Sequence, residues 1–243
     1  MGTLISDLLK AICLFVFRLA GNELGDSGVK LVSVALSNPE CKIQRLGLDN
    51  IDLTVSGAEN LASALKTNRS LMDLYMGHNK LGDSGVKQVF VALRNPECKI
   101  QKLGLRDNSL TDSGVEDLVA ALSTNPSLTE LDLSENKLGD SGVKLVSAAL
   151  RNPECKIQKL LLYNVGLRDS GAEDLAFALI TNSSQTGAGP GIKLAHRQIC
   201  PGSPPRHTDP PESGADRAAL ESVQSNRREG TEISAGTQTR TES

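Results

Sequence analysis

Histidine, the side chain best suited to act as a general base or a neutral metal ligand near neutral pH, is rare in this chain of 243 residues. His78 lies inside a repeated motif, whereas His196 and His207 lie in a Pro-rich segment. No spacing of histidines and cysteines matches a metal site. The glycine cluster at 187–193 lacks the G-x-x-x-x-G-K-[ST] spacing of a phosphate-binding loop. The sequence therefore predicts no enzyme, no cofactor and no metal site, and we interpret His78 as an exposed contact residue.

An internal repeat sets the elements that position these residues. The sequence LGDSGVK begins at Leu24 and recurs at Leu81 and Leu138, a period of 57 residues that contains two copies of the apolar frame L-x-x-L-x-L-x-x-N-x-L. The six copies of the frame begin at Leu14, Ile43, Leu71, Ile100, Leu128 and Ile157. This frame is the leucine-rich-repeat signature. It predicts an α/β solenoid over residues 14–184, with six repeats of alternating 29 and 28 residues, a curved parallel sheet inside and helices outside.

Each position of the frame has a physical role, which the third repeat illustrates. Leu74 and Met76 alternate along a short strand and are predicted to point into the core. Asn79 follows, and its side-chain amide is predicted to turn inward and bond to backbone groups of the turn. Asp83 or Ser84 is predicted to cap the helix that begins next.

Three cysteines, Cys41, Cys98 and Cys155, occupy one position of the 57-residue period. Since these copies are two repeats apart, their separation is about two strand spacings, roughly 9 to 10 Å. A disulfide needs Cα atoms within about 7 Å. The cysteines are therefore interpreted as apolar fillers in a reducing compartment, which predicts a cytoplasmic protein.

The outward-pointing strand positions form the concave surface of the predicted solenoid. Their first column alternates in charge from repeat to repeat: Arg45, Asp73, Lys102, Glu130 and Lys159. Adjacent parallel strands lie about 4.8 Å apart, so a ladder of ion pairs is expected. We interpret this ladder as a device that fixes strand pairing, worth a few tenths of a kcal/mol per exposed pair.

Half of the differences between two near-copies of one repeat lie where a partner would touch them. Residues 81–107 and 138–164 differ at six of 27 positions, and three of the six are concave: Gly104 to Leu161, Arg106 to Tyr163, and Asp107 to Asn164. Tyr and Arg are enriched in binding hot spots. The predicted partner-binding residues are the anchors Tyr75, Arg106 and Tyr163 and the polar rim His78, Asp107, Asp132 and Glu135. Random drift of the repeats is the alternative explanation.

Charge and hydropathy exclude two other classes of partner. The 26 Lys and Arg residues and 29 Asp and Glu residues give a net charge of −3, and no basic stripe is visible, so neither nucleic acid nor an anionic membrane is expected. The apolar run at 11–17 is shorter than the roughly 20 residues that cross a bilayer. This run fits the repeat frame better than a signal peptide.

The two ends of the predicted array differ from its interior. Residues 1–13 are predicted to be a partial helix of a truncated preceding repeat. The frame stops at Gln185, and residues 185–243 are predicted to be a disordered tail because Pro, Ser and Gly are abundant there. Repeat arrays normally carry polar caps, so we expect a fragment or splice form that can self-associate through uncapped ends.

The motifs L-G-D-x-G and N-P-E-C-K-I-Q-x-L, in repeats of alternating 28 and 29 residues, resemble the ribonuclease-inhibitor type of leucine-rich repeat. They are similar above all to the C-terminal arrays of NOD-like receptors, the NACHT and leucine-rich-repeat innate immune sensors. This resemblance covers residues 4–184. It implies a cytosolic array that senses a ligand or holds an ATP-driven module inactive. The sequence shows no phosphate-binding loop, so the resemblance does not carry ATP hydrolysis to this chain.

Two functions from different classes follow. The first is a non-catalytic protein-interaction module that binds a protein partner through its concave face. The second is an enzyme inhibitor similar to ribonuclease inhibitor. An inhibitor of basic ribonucleases is expected to have a strongly acidic concave face, whereas the columns here mix both signs of charge. The sequence favours the first function.

Overall fold

Strands and helices alternate along the whole described part of the chain. The computed structural model describes residues 15–185 and the pair 193–194. The strands are β1 (Val16–Arg18), β2 (Arg45–Gly47), β3 (Asp73–Tyr75), β4 (Lys102–Gly104), β5 (Glu130–Asp132), β6 (Lys159–Leu161) and β7 (Lys193–Leu194). The helices are α1 (Gly25–Leu36), α2 (Val55–Leu65), α3 (Gly82–Leu93), α4 (Asp112–Thr124), α5 (Gly139–Leu150) and α6 (Asp169–Gln185). The predicted α/β leucine-rich-repeat solenoid is confirmed.

The strands form one parallel sheet in chain order, from β1 to β7. Its register aligns equivalent frame positions, as when Asp73 pairs with Lys102. The seventh strand lies inside the segment that the sequence predicts to be a disordered tail, where Leu194 pairs with Leu160 of β6. The tail prediction is therefore corrected at residues 193–194. Without β7, the outer edge of β6 would present unpaired backbone groups, and composition alone does not reveal such an edge.

The core is a single layer between the sheet and the helices. The central leucines of five strands are at most 2% exposed: Leu46, Leu74, Leu103, Leu131 and Leu160. Met76 is fully buried beside them, as predicted. Helices contribute apolar residues at helical spacing, such as Val86, Val89 and Leu93 in α3, which are all fully buried.

Asn79 fulfils the role that the sequence predicts for it. Its Oδ1 accepts hydrogen bonds from the backbone N–H groups of Ile51, at 3.1 Å, and Leu53, at 3.0 Å. Its Nδ2 donates to the backbone carbonyls of Leu48, at 2.8 Å, and Met76, at 3.0 Å. The buried amide thus joins the second repeat to the third, and Asn136 joins the fourth to the fifth in the same way.

Asp83 does not cap the helix that the sequence predicts it to cap. Asp83 makes no capping bond to its own helix α3, which begins after Leu81 without a side-chain cap. Instead, Asp83 Oδ1 accepts the backbone N–H of Thr111 at 2.8 Å, and Oδ2 accepts the Thr111 hydroxyl at 2.6 Å. Since Gly82 has a φ of +57°, the chain turns so that the following carboxylate faces the next repeat. Asp83 therefore caps the start of α4.

Cys41, Cys98 and Cys155 are free thiols. Cys98 is buried, and the other two are half-buried. Burial raises the pKa of the Cys98 and Cys155 thiols, so both remain protonated at neutral pH. The prediction of filler cysteines rather than disulfides is confirmed for these three residues.

Several predictions lie outside the described residues. They are the partial helix at 1–13 and the tail at 186–192 and 195–243. Within the described residues, no helix combines the length and the apolarity that crossing a membrane requires.

Candidate partner-binding site on the concave face

The charge ladder on the concave face is neutralised internally. Arg45 Nε lies 2.8 Å from Asp73 Oδ2, and the Asp73 side chain is only 7% exposed. Glu130 lies between two lysines, with its carboxylate oxygens 2.7 Å from Lys102 Nζ and 3.6 Å from Lys159 Nζ. Desolvation opposes ionisation of Glu130, but the two lysines outweigh it and lower the pKa of Glu130. The predicted ladder of ion pairs between neighbouring strands is confirmed at these residues.

Tyr75, a predicted anchor, lies at the end of β3, where its ring covers Gly104 of the next strand. A methyl group at Gly104 would come within 2.9 Å of the ring atom Cδ1, so the ring needs this glycine. The Tyr75 residue remains 39% exposed. Desolvation and the nearby Asp73 carboxylate raise the pKa of the phenol, which therefore stays neutral and able to donate a hydrogen bond. The ring therefore presents a partly exposed apolar surface next to Gly104.

A cavity of about 420 Å³ adjoins Tyr75 on the side of the first two repeats. Arg18, Arg45, Lys102 and Asp49 contribute charged groups to its walls, and Gly47 contributes to its lining. Desolvation raises the pKa of Asp49, although its Oδ1 accepts the backbone N–H of Gly77 at 2.8 Å. The sequence analysis missed this cavity. The signal for it was Gly47 at an outward strand position, where the missing side chain leaves space.

The anchor Arg106 lies one repeat further along and is tied to Glu135. Its Nη2 lies 2.5 Å from Glu135 Oε1, and this hydrogen bond raises the pKa of the guanidinium. Its Nε is buried and has no hydrogen-bond partner among the described residues. An unsatisfied buried donor costs free energy that an acceptor on a partner would recover. Tyr163, the third anchor, is half-buried beside Glu135 and its N–H donates to Ser134 Oγ at 3.2 Å.

The polar rim forms at the exits of three consecutive strands. His78, Asp107 and Glu135 follow β3, β4 and β5, and all have a positive φ between 50° and 59°. His78 Nδ1 lies 3.0 Å from Asp107 Oδ2. One titratable atom from each of the three residues lies within 4.8 Å of the others.

Asp132, the fourth predicted rim residue, is half-buried on β5, where its Oδ1 accepts the N–H of Ser134. Arg106 thus contacts the rim residue Glu135, whereas Tyr75 lines the cavity of about 420 Å³.

A second cavity, of about 400 Å³, shows a basic cluster that the sequence analysis missed. Lys42, Arg69 and Lys99 line it together with Gln44 and Gln101. These cations are 27 and 30 residues apart in the sequence, so only the stacking of repeats brings them together. The folded surface therefore carries a basic cluster that the linear sequence does not reveal. Arg69 is partly neutralised by Glu97, at 3.5 Å.

Comparison with known proteins agrees with this architecture. A family model described as Leucine Rich repeat matches residues 67–89 and 124–147. The mouse protein NACHT, LRR and PYD domains-containing protein 14 is 41% identical over 181 residues, which are 74% of this chain and 18% of that protein. Human NACHT, LRR and PYD domains-containing protein 3 is 42% identical over 166 residues, 68% of this chain and 16% of that protein. The chain is a leucine-rich-repeat array like those of NACHT and LRR proteins. The array spans less than a fifth of the length of these relatives.

Solved structures resemble the array in fold. Leiomodin-1 actin-binding site 2 aligns with a TM-score of 0.52 and 18% identity over 63% of this chain and 88% of that chain. The tropomodulin C-terminal domain of Caenorhabditis elegans aligns with a TM-score of 0.53 and 13% identity over 65% of this chain and 95% of that chain. At these identities the two structures show the shared repeat fold alone.

Proposed function

We propose that this array is a non-catalytic interaction module that binds a protein partner through its concave face, with Tyr75, Arg106 and Tyr163 as anchors. The observation that carries the proposal is the divergence of two near-copies of one repeat. Gly104, Arg106 and Asp107 are replaced in the later copy by Leu161, Tyr163 and Asn164. All of these positions lie at strand ends or strand exits of the concave face.

The contacts explain how the anchors would contribute to affinity. The charged ladder is already paired within the array, so a partner gains little free energy by replacing those pairs. Tyr75 offers an exposed ring of fixed orientation over Gly104, and Arg106 offers a buried donor with no acceptor among the described residues. Aromatic and arginine anchors of this kind dominate binding free energy in protein interfaces. The partner surface that fits is one with apolar or amide groups and a carbonyl or carboxylate acceptor.

The relatives and the free thiols support a cytosolic setting, in which the array acts as a sensing or autoinhibitory element of the kind that NOD-like receptors contain. The concave face mixes both signs of charge and so does not favour an inhibitor of basic ribonucleases. Exposed Phe177 and Ile180 on α6, which are 59% and 52% exposed, support weak self-association at that end of the array.

The experiment compares two triple variants of the full chain. Replacing Tyr75, Arg106 and Tyr163 by Ala removes the concave anchors, and replacing Val34, Val91 and Phe177 by Ala removes exposed apolar groups from the helices as a matched control. Both variants are used as bait against cross-linked cell lysate, and their melting temperatures are compared. We expect the concave variant to lose the proteins captured by the wild type and the control to keep them. Equal capture by both variants contradicts a concave site.

A further inference from the structure

We propose that His78, Asp107 and Glu135 form a binding site for one zinc ion at the rim of the concave face. These residues come from three consecutive repeats, and the register of β3, β4 and β5 places them side by side. One imidazole nitrogen and two carboxylate oxygens lie within 4.8 Å of one another. Zinc binds imidazole nitrogen and carboxylate oxygen, and three protein ligands with an open fourth position are a common arrangement.

The geometry needs only small movements of exposed side chains. Three atoms no more than 4.8 Å apart fit within a circle whose radius is about 2.8 Å, the side divided by √3. Zinc ligands of these types lie about 2.0 to 2.2 Å from the metal. Each ligand atom therefore moves inward by less than about 1 Å. The side chains of His78 and Asp107 are 40% and 55% exposed, so rotamer changes of this size meet little resistance from packing.

Arg106 orients one of the ligands and leaves it able to bind. Among the described residues, its guanidinium donates a hydrogen bond to Oε1 of Glu135. Hydrogen bonds to a ligating carboxylate from outside the metal's own shell are typical of zinc sites, because they hold the ligand in orientation. In the same way, the contact between His78 and Asp107 uses Oδ2 of the carboxylate and leaves Oδ1 available. Arg106 is thus a positioning residue.

Local charge also favours a cation. Arg106 is the positive partner of Glu135 and also interacts with Asp132, while Asp107 adds a third carboxylate to the cluster with His78 and Glu135. Asp49 interacts electrostatically with both His78 and Asp132. A doubly charged ion reduces this excess of negative charge. The proposal does not depend on a protein partner, because all three ligands belong to this chain.

The test measures zinc binding by the full chain after removal of metals with a chelator. Isothermal titration with Zn²⁺ compares the wild type with His78→Asn and Asp107→Asn. Asparagine tolerates a positive φ and occupies the same position at Asn50 and Asn164. Asp52→Asn is the matched control, since Asp52 is also an exposed carboxylate residue with a positive φ of 57°. Equal melting temperatures without metal establish that the variants are folded.

We expect one Zn²⁺ per wild-type chain and a dissociation constant at least about tenfold weaker in His78→Asn and Asp107→Asn, with Asp52→Asn unchanged. The absorption spectrum with Co²⁺ in place of Zn²⁺ is expected to lack the charge-transfer band of thiolate ligands. No saturable binding, equal binding by all variants, or a thiolate band from the cysteines would each overturn the proposal.

Discussion

Replacing Asn79 by Ala tests how neighbouring repeats are joined. The amide makes the only hydrogen bonds found among the described residues to the N–H groups of Ile51 and Leu53 and to the carbonyl of Leu48. The carbonyl of Met76 retains a second donor, the side chain of Asn108. Three buried backbone groups therefore lose their partner. At about 1 kcal/mol or more for each group, the substitution lowers the free energy of unfolding by roughly 3 kcal/mol or more.

The assay is urea denaturation followed by circular dichroism, combined with amide hydrogen exchange. We expect faster exchange at Ile51 and Leu53, because both amides lose their acceptor. Asn22→Ala is the matched control: Asn22 occupies the same frame position but is exposed, and among the described residues its side chain bonds only to the local carbonyls of Leu19 and Ala20. Its substitution is expected to change stability by less than about 1 kcal/mol. An equal effect of the two substitutions would refute the role assigned to the buried amide.

Three further predictions concern other parts of the array. Ser147→Ala should raise the free energy of unfolding by up to about 1 kcal/mol in urea denaturation, because the buried Ser147 hydroxyl has no hydrogen-bond partner in the described part of the chain. Ser123→Ala, which removes a bonded hydroxyl, should not raise it. Hydrogen bonds from Thr111 and Ser113 outweigh desolvation and lower the pKa of Asp83 below 3.8, so its stabilising contribution is present above that pH and is lost as the pH falls further. The melting temperature of Asp83→Asn should therefore depend less on pH below about 4 than that of the wild type. Gly104→Leu should displace the Tyr75 ring, which a change in tyrosine fluorescence with little change in melting temperature would report.

The sequence predicted the parts of the structure that depend on local patterns. The frame located every strand from β1 to β6, the inward amide of Asn79 and the paired ladder, because side-chain alternation and the repeat period determine them. The frame did not predict that Asp83 bonds to Thr111 of the next repeat. That contact depends on the left-handed turn at Gly82, which points the carboxylate at the next repeat.

For the candidate sites too, the sequence predicted individual residues but not the contacts that depend on the folded chain. Tyr75 was predicted as an anchor from its type and column, but its contact with Gly104 depends on the orientation of the ring. His78, Asp107 and Glu135 were predicted as separate rim residues. Their grouping depends on the register of three strands, since they are 29 and 28 residues apart in the chain.

Site-specific photo-crosslinking tests the central proposal, partner binding on the concave face, most directly. A photoreactive phenylalanine analogue is placed at Tyr75 or Tyr163 on the concave face, or at Val91 or Phe177 on the helices, and the full chain is irradiated in cells. Binding through the concave face predicts discrete adducts of one partner from positions 75 and 163 and no adducts of that partner from 91 and 177. Adducts of a partner from the helix positions alone would contradict it.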